Sequence, residues 1–598
     1  MRKRRFFILG LAILLLANVF CACKGEPDNS EDDVFTIDEL HIHRFEELNQ
    51  ANEKIDSHAD SADMSTLALD YSQSTTISGN TLGTSNAWYP RLRMVKDRYL
   101  LFFNTGKNGP AIAYVSSSDL KTWSKPTTLF AAAGITYASP DVLVSKSGDV
   151  LVFTSWRTSD YVNTTAGGGI SMRRSKDNGV TWEPEEKIYL GTNWEPYPYQ
   201  DPDTGEIQVY FTNTTAHRYT QTDGFNTSTG TAIIRSLDNG YTWNCSMSKP
   251  MQNEIVAQQA TEVIEGIQYY TDQMPVAVKL HNGTIALALE SRLDRNGNYK
   301  ITMAYSDDNW ATTLAPDEEG PADKATNIYN GTGPYIRQFD SGETVLSFTQ
   351  KNDNARIGFF MSDGEARDFR RVYSASVRGT WCGLELLGTH TLAAVVGSPA
   401  DGDTREINLM VLHLNHSINA PYTRIRVNGN NTDWTGDEAI FVGSKTDASA
   451  SIRVAHDDEN VYFLVERIDA CITEEDAMTL RIATGEVQDN TFLEVVMNLS
   501  TVESLAYGRG SRITEELSAD QVRCAISVKG SVDGNADDTG ILYELAVPKA
   551  LLGESFESEG RFYPVLYNAD EGAAVHDTLD SASRSDVSTW PVFKLLKK

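Results

Sequence analysis

SKDNGVTW (175–182) and SLDNGYTW (236–243) carry one pattern, Ser-x-Asp-x-Gly-x-Thr-Trp. The chemistry is that of a β-hairpin turn. The Asp side chain caps backbone N–H groups, Gly takes the positive φ, and the Trp packs between neighbouring units. SSDLKTW (117–123) is the same turn one residue shorter, and SDDNW (306–310) is a decayed copy. A single Ser-x-Asp-x-Gly-x-Thr would carry little weight, but two full copies and two partial ones in one chain mark a repeat.

A second repeat counts the units. Six segments share a short strand, a Gly or polar turn, and an apolar strand. They are WYPRLRMVKDRYLLFFNTG (88–106), SPDVLVSKSGDVLVFTSWR (139–157), WEPYPYQDPDTGEIQVYFTN (194–213), DQMPVAVKLHNGTIALALESR (272–292), GPYIRQFDSGETVLSFTQ (333–350) and GTWCGLELLGTHTLAAVVGS (379–398). Alternation with period two and a β-rich composition make each a hairpin. Units of this size built this way predict a six-bladed β-propeller over residues 80–415.

In a propeller the first strand of each blade lines the central channel. The residues expected at the channel mouth are therefore Arg91, Asp141, Glu195, Asp272 and Tyr335. The second strand runs back, and its final residues, Arg157, Glu290 and Arg292, are expected on the same face. Strand ends on a rigid scaffold hold acids and bases at fixed separations. Glu195 and Glu290 are the expected catalytic pair, taken to come from opposite blades. A retaining glycosidase needs a nucleophile and an acid/base with carboxyl groups about 5–5.5 Å apart. Trp194 and Pro196 wall Glu195, and Arg292 follows Glu290 by two residues; an apolar wall raises a carboxyl pKa and an Arg lowers it. Those surroundings leave open which glutamate is the acid. Arg91, Asp141, Arg157, Trp194, Tyr197, Asp272, Arg292 and Tyr335 are the expected substrate-binding residues. A lone Glu at a strand end is more often a solvated rim residue, so the expectation rests on the set.

The Ser-x-Asp-x-Gly-x-Thr-Trp turns resemble the Asp-boxes of sialidase-type propellers. WYPRL, NWEPYP and ALALESR resemble glycoside hydrolase family 93, the exo-α-1,5-L-arabinanases. That resemblance spans residues 80–415 and implies a retaining mechanism with Glu195 as nucleophile and Glu290 as acid/base. Sialidases are the rival within the fold: they bind a substrate carboxylate with three arginines, use a Tyr nucleophile, and begin with Phe-Arg-Ile-Pro. This chain has Tyr-Pro-Arg-Leu instead. Arg91, Arg292, Arg337 and Tyr335 could form a partial imitation, so an acidic sugar stays open as substrate. A neutral furanoside gives no reason for Arg91, Arg157 and Arg292 together. A surface glycan-binding protein without catalysis is the alternative outside the enzymes.

The start of the chain gives an address. Residues 1–23 hold four basic residues and an apolar run too short to span a membrane, which reads as a signal peptide. LLLANVFCACKG resembles a lipoprotein cleavage site with Cys23 as the lipidated residue and Cys21 as the runner-up. Residues 24–79 are an acidic tether and N-terminal segment, of which 36–55 has a mixed helical period. Expected partners are a polysaccharide or glycan and, through the lipid, the outer membrane; the protein is expected to be a monomer. The balance of 52 Lys+Arg against 82 Asp+Glu, net −30, argues against nucleic acid as a partner.

Residues 420–598 begin a new unit. RVAHDDENVYFLVE with the following LYELAVP resembles family 9 carbohydrate-binding modules, which are β-sandwiches. The expected fold class is thus all-β, a six-bladed β-propeller followed by a β-sandwich domain. Members that bind sugar clamp it between aromatics, and Trp434 and Trp590 are the Trp residues here; core packing is the competing reading. Asp457, Asp458 and Glu459 make either a structural Ca²⁺ site or an exposed hairpin turn; no other cofactor is expected. Cys245, Cys382, Cys471 and Cys524 lack CxxC spacing, so no metal site is expected. Cys471 and Cys524 could form a disulfide; four separate thiols is the alternative.

Overall fold

The computed structural model describes residues 36–54 and 65–598, apart from 107–108, 162–163, 215–227, 258–259, 265–266, 271, 293–298, 314–323, 401–403, 435–437, 444–447, 533, 536–537, 554–555, 557 and 571–574. The expected signal peptide, Cys21, Cys23 and the first part of the expected tether lie outside the described residues. Strand makes up 56% of the chain and helix 6%, so the fold is all-β.

Six blades follow one another in chain order as a propeller, antiparallel except for one parallel bridge between Thr229 and Tyr270 in blade 3. Their innermost strands contain Trp88–Val95, Ile135–Val144, Asn193–Gln200, Asp272–Lys279, the second half of Lys324–Gln338, and Thr380–Leu386. Lys324–Gln338 serves two blades: its first half pairs with Tyr299–Ser306 of blade 4, and its second half opens blade 5. The ring closes earlier in the chain than residue 80. Thr66–Ile77, within the segment expected to be tether, pairs antiparallel with Arg405–Asn415 and becomes the outer strand of blade 6. Its bulge turns the buried Asp70 carboxylate onto the His413 ring at 3.0 Å.

The Asp-box turns adopt one hydrogen-bond pattern. Asp177 accepts the Thr181 N–H at 2.8 Å and its hydroxyl at 2.5 Å; Asp238 accepts the same groups of Thr242 at 2.8 and 2.6 Å. Each Trp reaches back one blade: Trp182 donates to the Tyr114 hydroxyl of blade 1, and Trp243 lies edge-on to Phe153 of blade 2. The copy at 306–310 keeps both functions by another route. Trp310 occupies the glycine position at φ 64°, its N–H donates to Ser306, and its indole donates to Tyr210 of blade 3 at 2.8 Å.

Residues 418–598 form two facing sheets, one of eight strands and one of five, around a core that includes Ile452, Phe463, Leu480, Ile482 and Phe562. Helix Phe45–Asn52 wedges between this sandwich and the propeller. Its Phe45 packs on Phe441 and His413, and Asn52 exchanges two hydrogen bonds with the backbone of Ala439.

Three expectations for the sandwich meet different facts. Trp434 and Trp590 are both buried: Trp434 donates to the buried Glu544 carboxylate, and Trp590 stacks on Tyr563. Both are taken up by packing: Trp434 in a cluster with Ile425, Tyr462 and Leu464, and Trp590 in one with Phe492, Tyr563 and Val587. Asp457 closes its own turn, accepting from the N–H groups of Glu459 and Asn460 and from the Tyr462 hydroxyl. Cys471 and Cys524 are separate thiols rather than a disulfide: Cys471 Sγ donates to the Gly534 carbonyl and Cys524 lies against Met497.

One backbone device repeats in all six blades and positions the site. Each innermost strand has a bulge in which two residues oppose one: Tyr89–Pro90, Ser139–Pro140, Glu195–Pro196, Met274–Pro275, Gly333–Pro334 and Trp381–Cys382. The first residue of each is left-handed, with φ of 50°, 56°, 49°, 50°, 64° and 58°. Five of the six second residues are prolines, which lose nothing where the ladder lacks a hydrogen bond. A left-handed residue other than Gly costs about 1–2 kcal/mol, so five of these six bulges hold strain around one channel. Strain held in place by a rigid frame is a feature of functional sites.

Candidate active site

The bulges change which residues correspond. Arg91, Asp141 and Tyr335 lie two residues past the left-handed position, in register with Tyr197, Val276 and Gly383. Glu195 is itself a left-handed residue, and Asp272 lies two residues before one. The expected mouth residues thus occupy three registers rather than one, because the extra residue in each bulge breaks the alternation on which the counting relied. On the return strand Arg157 and Arg292 correspond, while Glu290 corresponds to Ser155.

The six left-handed residues ring the channel with unequal chemistry. Tyr89 stacks on Trp381 at 4.1 Å between ring centres, giving one aromatic side. Ser139, Glu195 and Met274 follow around the ring, and Gly333 lies close against Trp381. A small, partly open cavity of about 20 Å³ lies here, lined by Pro140, Pro196, Pro275 and Pro334 together with Glu195, Met274 and Arg91.

Below the ring, a buried ionic network fills the channel. Asp141 accepts from Arg91 Nε and Arg93 Nη2, each at 2.8 Å. The fully buried Tyr335 accepts from Arg93 at 2.7 Å and donates to Asp141. Arg337 donates to the Tyr197 hydroxyl at 2.9 Å, and Tyr197 donates to the Ala277 carbonyl. Arg91 also donates to the carbonyls of Pro90 and Trp381. Arg91, Asp141, Tyr197 and Tyr335 are therefore brought together, but chiefly with one another. Arg93 and Glu385, 3.5 Å apart, complete the network and escaped sequence reasoning. Their place at the third and later positions of inner strands was the only signal.

Other expected residues sit apart from the cavity. Asp272 is buried and accepts from the Ser291 hydroxyl at 2.7 Å. Arg157 donates to the Asn193 carbonyl and lies 3.1 Å over the Trp194 ring, so both brace the strand that carries Glu195. Arg292 ends its strand, and its side chain lies outside the described residues.

The two carboxylates come from adjacent blades, 3 and 4, rather than from opposite ones. Adjacent blades are what a short separation requires, since opposite walls stand a channel's width apart. Glu195 keeps part of its surface open to the cavity, whereas Glu290 is 6% exposed. Burial pushes the Glu195 carboxyl up to about 7, against the Thr212 and Tyr89 hydroxyls and the charges of Arg157 and Arg91, which favour ionisation. Burial also pushes Glu290 up to about 7, against the Gly333 N–H and Lys351; the charge of Glu195 adds to the rise. The expected split between an apolar wall for one and an Arg for the other is replaced by a shared environment with unequal support.

Each carboxylate is held by the bulge of the following blade. At the return-strand position opposite the residue before the bulge stand Asn104, Ser155, Thr212, Glu290, Thr349 and Gly397. Asn104 accepts the Ser139 N–H at 3.2 Å, Thr212 accepts the Met274 N–H at 2.9 Å, and Glu290 accepts the Gly333 N–H at 2.8 Å. Thr212 in turn donates to Glu195 Oε2 at 2.8 Å. Glu290 therefore occupies a position that also latches one blade to the next, and Thr212 is a site residue the sequence did not single out.

No family model matches the chain, and no curated protein matches it. Solved structures similar to it include a protein of unknown function from Dyadobacter fermentans (16% identity, 58% of this chain and 98% of that one, TM-score 0.44). They also include the Penicillium chrysogenum α-L-arabinanase complexed with arabinobiose (16%, 58% and 98%, 0.41). A third is the NanB sialidase of Streptococcus pneumoniae (11%, 56% and 70%, 0.40). The two with named activities are glycoside hydrolases. At these identities the likeness is one of fold.

Proposed function

We propose that the protein is a retaining, exo-acting glycoside hydrolase of neutral glycan chain ends, of the exo-α-1,5-L-arabinanase kind. The observation that carries the reading is a pair of carboxylates on adjacent blades, Glu195 lining one small cavity and Glu290 near enough to feel its charge, both raised to about 7 by burial. A pair of this kind holds one proton near neutral pH, and its titration belongs to the pair. Two hydroxyls and two guanidinium groups favour the ionised form of Glu195, whose charge then keeps the proton on Glu290. Glu195 thus acts as nucleophile, forming a glycosyl ester as Glu290 protonates the leaving oxygen. In the second step Glu290 takes a proton from water, which breaks the ester. The preference for arabinan rests on the resemblance of WYPRL, NWEPYP and ALALESR to family 93.

An acidic sugar has one observation in its favour, Arg91 at the cavity. Asp141 and two carbonyls already occupy that guanidinium, and a substrate carboxylate would meet the charge of Glu195, so the neutral substrate is the better fit. The proposed site of action is the cell surface, with a lipid on Cys23 as anchor.

The test is release of reducing sugar from arabinan, sialylated glycans and pectin fragments by wild type, Glu195→Ala and Glu290→Ala. Activity on arabinan, lost by about 10²–10⁴-fold in the variants, is expected. Added azide should give glycosyl azide of retained configuration with Glu290→Ala and inverted configuration with Glu195→Ala. Variants that cleave at the wild-type rate would overturn the assignment. Binding to arabinan in gel retardation without any hydrolysis would make the protein a glycan-binding module instead.

A further inference from the structure

The reading above assigns roles to two glutamates but leaves open what holds Glu195 in the ionised state. Resting on that reading, we propose that Thr212 is a positioning residue for the nucleophile. Its hydroxyl is forced by the left-handed bulge of blade 4 to donate its proton to Glu195 Oε2.

The argument is one of hydrogen-bond supply. A threonine hydroxyl has one proton to give and lone pairs to receive with. Thr212 is 2% exposed, so water does not compete for it. Its Oγ1 accepts the Met274 backbone N–H at 2.9 Å, which uses one lone pair and turns the O–H away from that strand. The remaining contact is Glu195 Oε2 at 2.8 Å, and the hydroxyl proton points there. The Met274 N–H is aimed at Thr212 because Met274 is left-handed, with φ 50°, and is followed by Pro275, which cannot rejoin the ladder. The strain of blade 4 is thus used to orient a side chain of blade 3. A neutral Glu195 with its proton on Oε2 would leave two donors facing each other, so the arrangement disfavours that form. Oε2 is held as an acceptor.

The same position in blade 4 is filled by Glu290, which takes the Gly333 N–H directly. Blade 3 therefore inserts a hydroxyl between the bulge and its carboxylate, where blade 4 places the carboxylate itself.

The experiment reads the carboxyl directly. Protein labelled with ¹³C at glutamate carboxyls is titrated by NMR as wild type, Thr212→Ser and Thr212→Val, with Glu195→Gln to assign the signal. Thr212→Ser should keep the wild-type midpoint. Thr212→Val should raise the Glu195 midpoint by about one to two units, the loss expected for a hydrogen bond to a charged group. The acid limb of kcat/KM on arabinan should move with it. Should Thr212→Val fail to fold, Thr212→Ala gives the same reading. An unmoved midpoint in a folded variant, even one with lowered Tm, overturns the proposal and leaves Thr212 a latch alone. A shifted midpoint in a protein that hydrolyses nothing keeps the positioning and sinks the hydrolase reading.

Discussion

Blades 3 and 4 have the same backbone and divide the chemistry between them. In blade 3 the left-handed bulge residue is Glu195 and the return-strand position is Thr212; in blade 4 they are Met274 and Glu290. Each blade contributes one carboxylate, but from a different position. The consequence is that the two carboxylates occupy different registers of neighbouring blades, with Glu195 on the bulge and Glu290 on the return strand. Blade 1 shows the arrangement without an acid, with Tyr89 on the bulge and Asn104 receiving the Ser139 N–H. The latch is the older element of the design in a physical sense: it serves the frame in three blades, and in blade 4 alone its acceptor is also a proposed catalyst.

The sharpest way to break that comparison is to give blade 4 the residue of blade 3. Glu290→Thr keeps an oxygen that can accept the Gly333 N–H and removes the carboxyl. Arabinan hydrolysis should fall by about 10²–10⁴-fold, the usual contribution of a general acid/base, while the thermal midpoint stays near that of wild type. Glu290→Ala should lose both. A Glu290→Thr protein that is folded and active would show that Glu290 is only a latch.

Gly333 offers a smaller perturbation of the same contact. Its φ is 64°, and a Cβ there would lie 3.1 Å from Trp381 Cδ1. Gly333→Ala should destabilise by about 1–2 kcal/mol through the left-handed conformation. It should slow hydrolysis roughly tenfold, as a displaced N–H costs Glu290 about 1.4 kcal/mol of support. Parallel kinetic and calorimetric measurements separate the two effects. An unchanged rate would mean that the N–H does not orient the acid.

The raised pKa values predict a pH signature of opposite sign to the usual carboxylate one. A carboxyl at about 7 in the folded protein and 4.5 when free is favoured in its neutral form by folding. Its contribution is complete below pH 4.5 and is lost as pH rises through about 7. For Glu290 this amounts to at most about 3 kcal/mol. Glu290→Gln, which cannot ionise and still offers an oxygen to Gly333, should match wild type at pH 4.5 and exceed it in thermal midpoint at pH 8. Equal midpoints at both pH values would show that Glu290 is not held neutral by its surroundings.

Much of this was legible in the chain, and the losses have a common cause. The Asp-box turns are local, so their Ser, Asp and Gly could be read directly, and the hairpins followed from alternation. Glu195 and Glu290 stood out through their neighbours. What alternation hid was the bulge: one extra residue shifts every later side chain to the other face, which placed Arg91 and Glu195 falsely in one register. The signal was present as Tyr-Pro, Ser-Pro, Glu-Pro, Met-Pro and Gly-Pro at the start of five hairpins, a repeated left-handed residue followed by proline. Thr212 and Arg93 were out of reach, since their roles depend on which strand the next blade brings alongside. The buried Trp434 and Trp590 teach the converse, because scarcity in a sequence does not distinguish a sugar clamp from a core.

The mildest test asks whether the latch can be cut where no acid uses it. Asn104 is fully buried in blade 1, and its Oδ1 takes the Ser139 N–H in the same geometry as Glu290 takes that of Gly333. Asn104→Ala leaves that N–H without its acceptor and should cost about 1–3 kcal/mol, read as a lowered thermal midpoint. Hydrolysis at a temperature well below the transition should be unchanged, because Ser139 lines the cavity without touching either glutamate's support from Thr212 or Gly333. If the folded variant loses activity as deeply as Glu290→Thr, the frame and the chemistry cannot be separated blade by blade. The three latches would then act together to set the shape of the channel mouth.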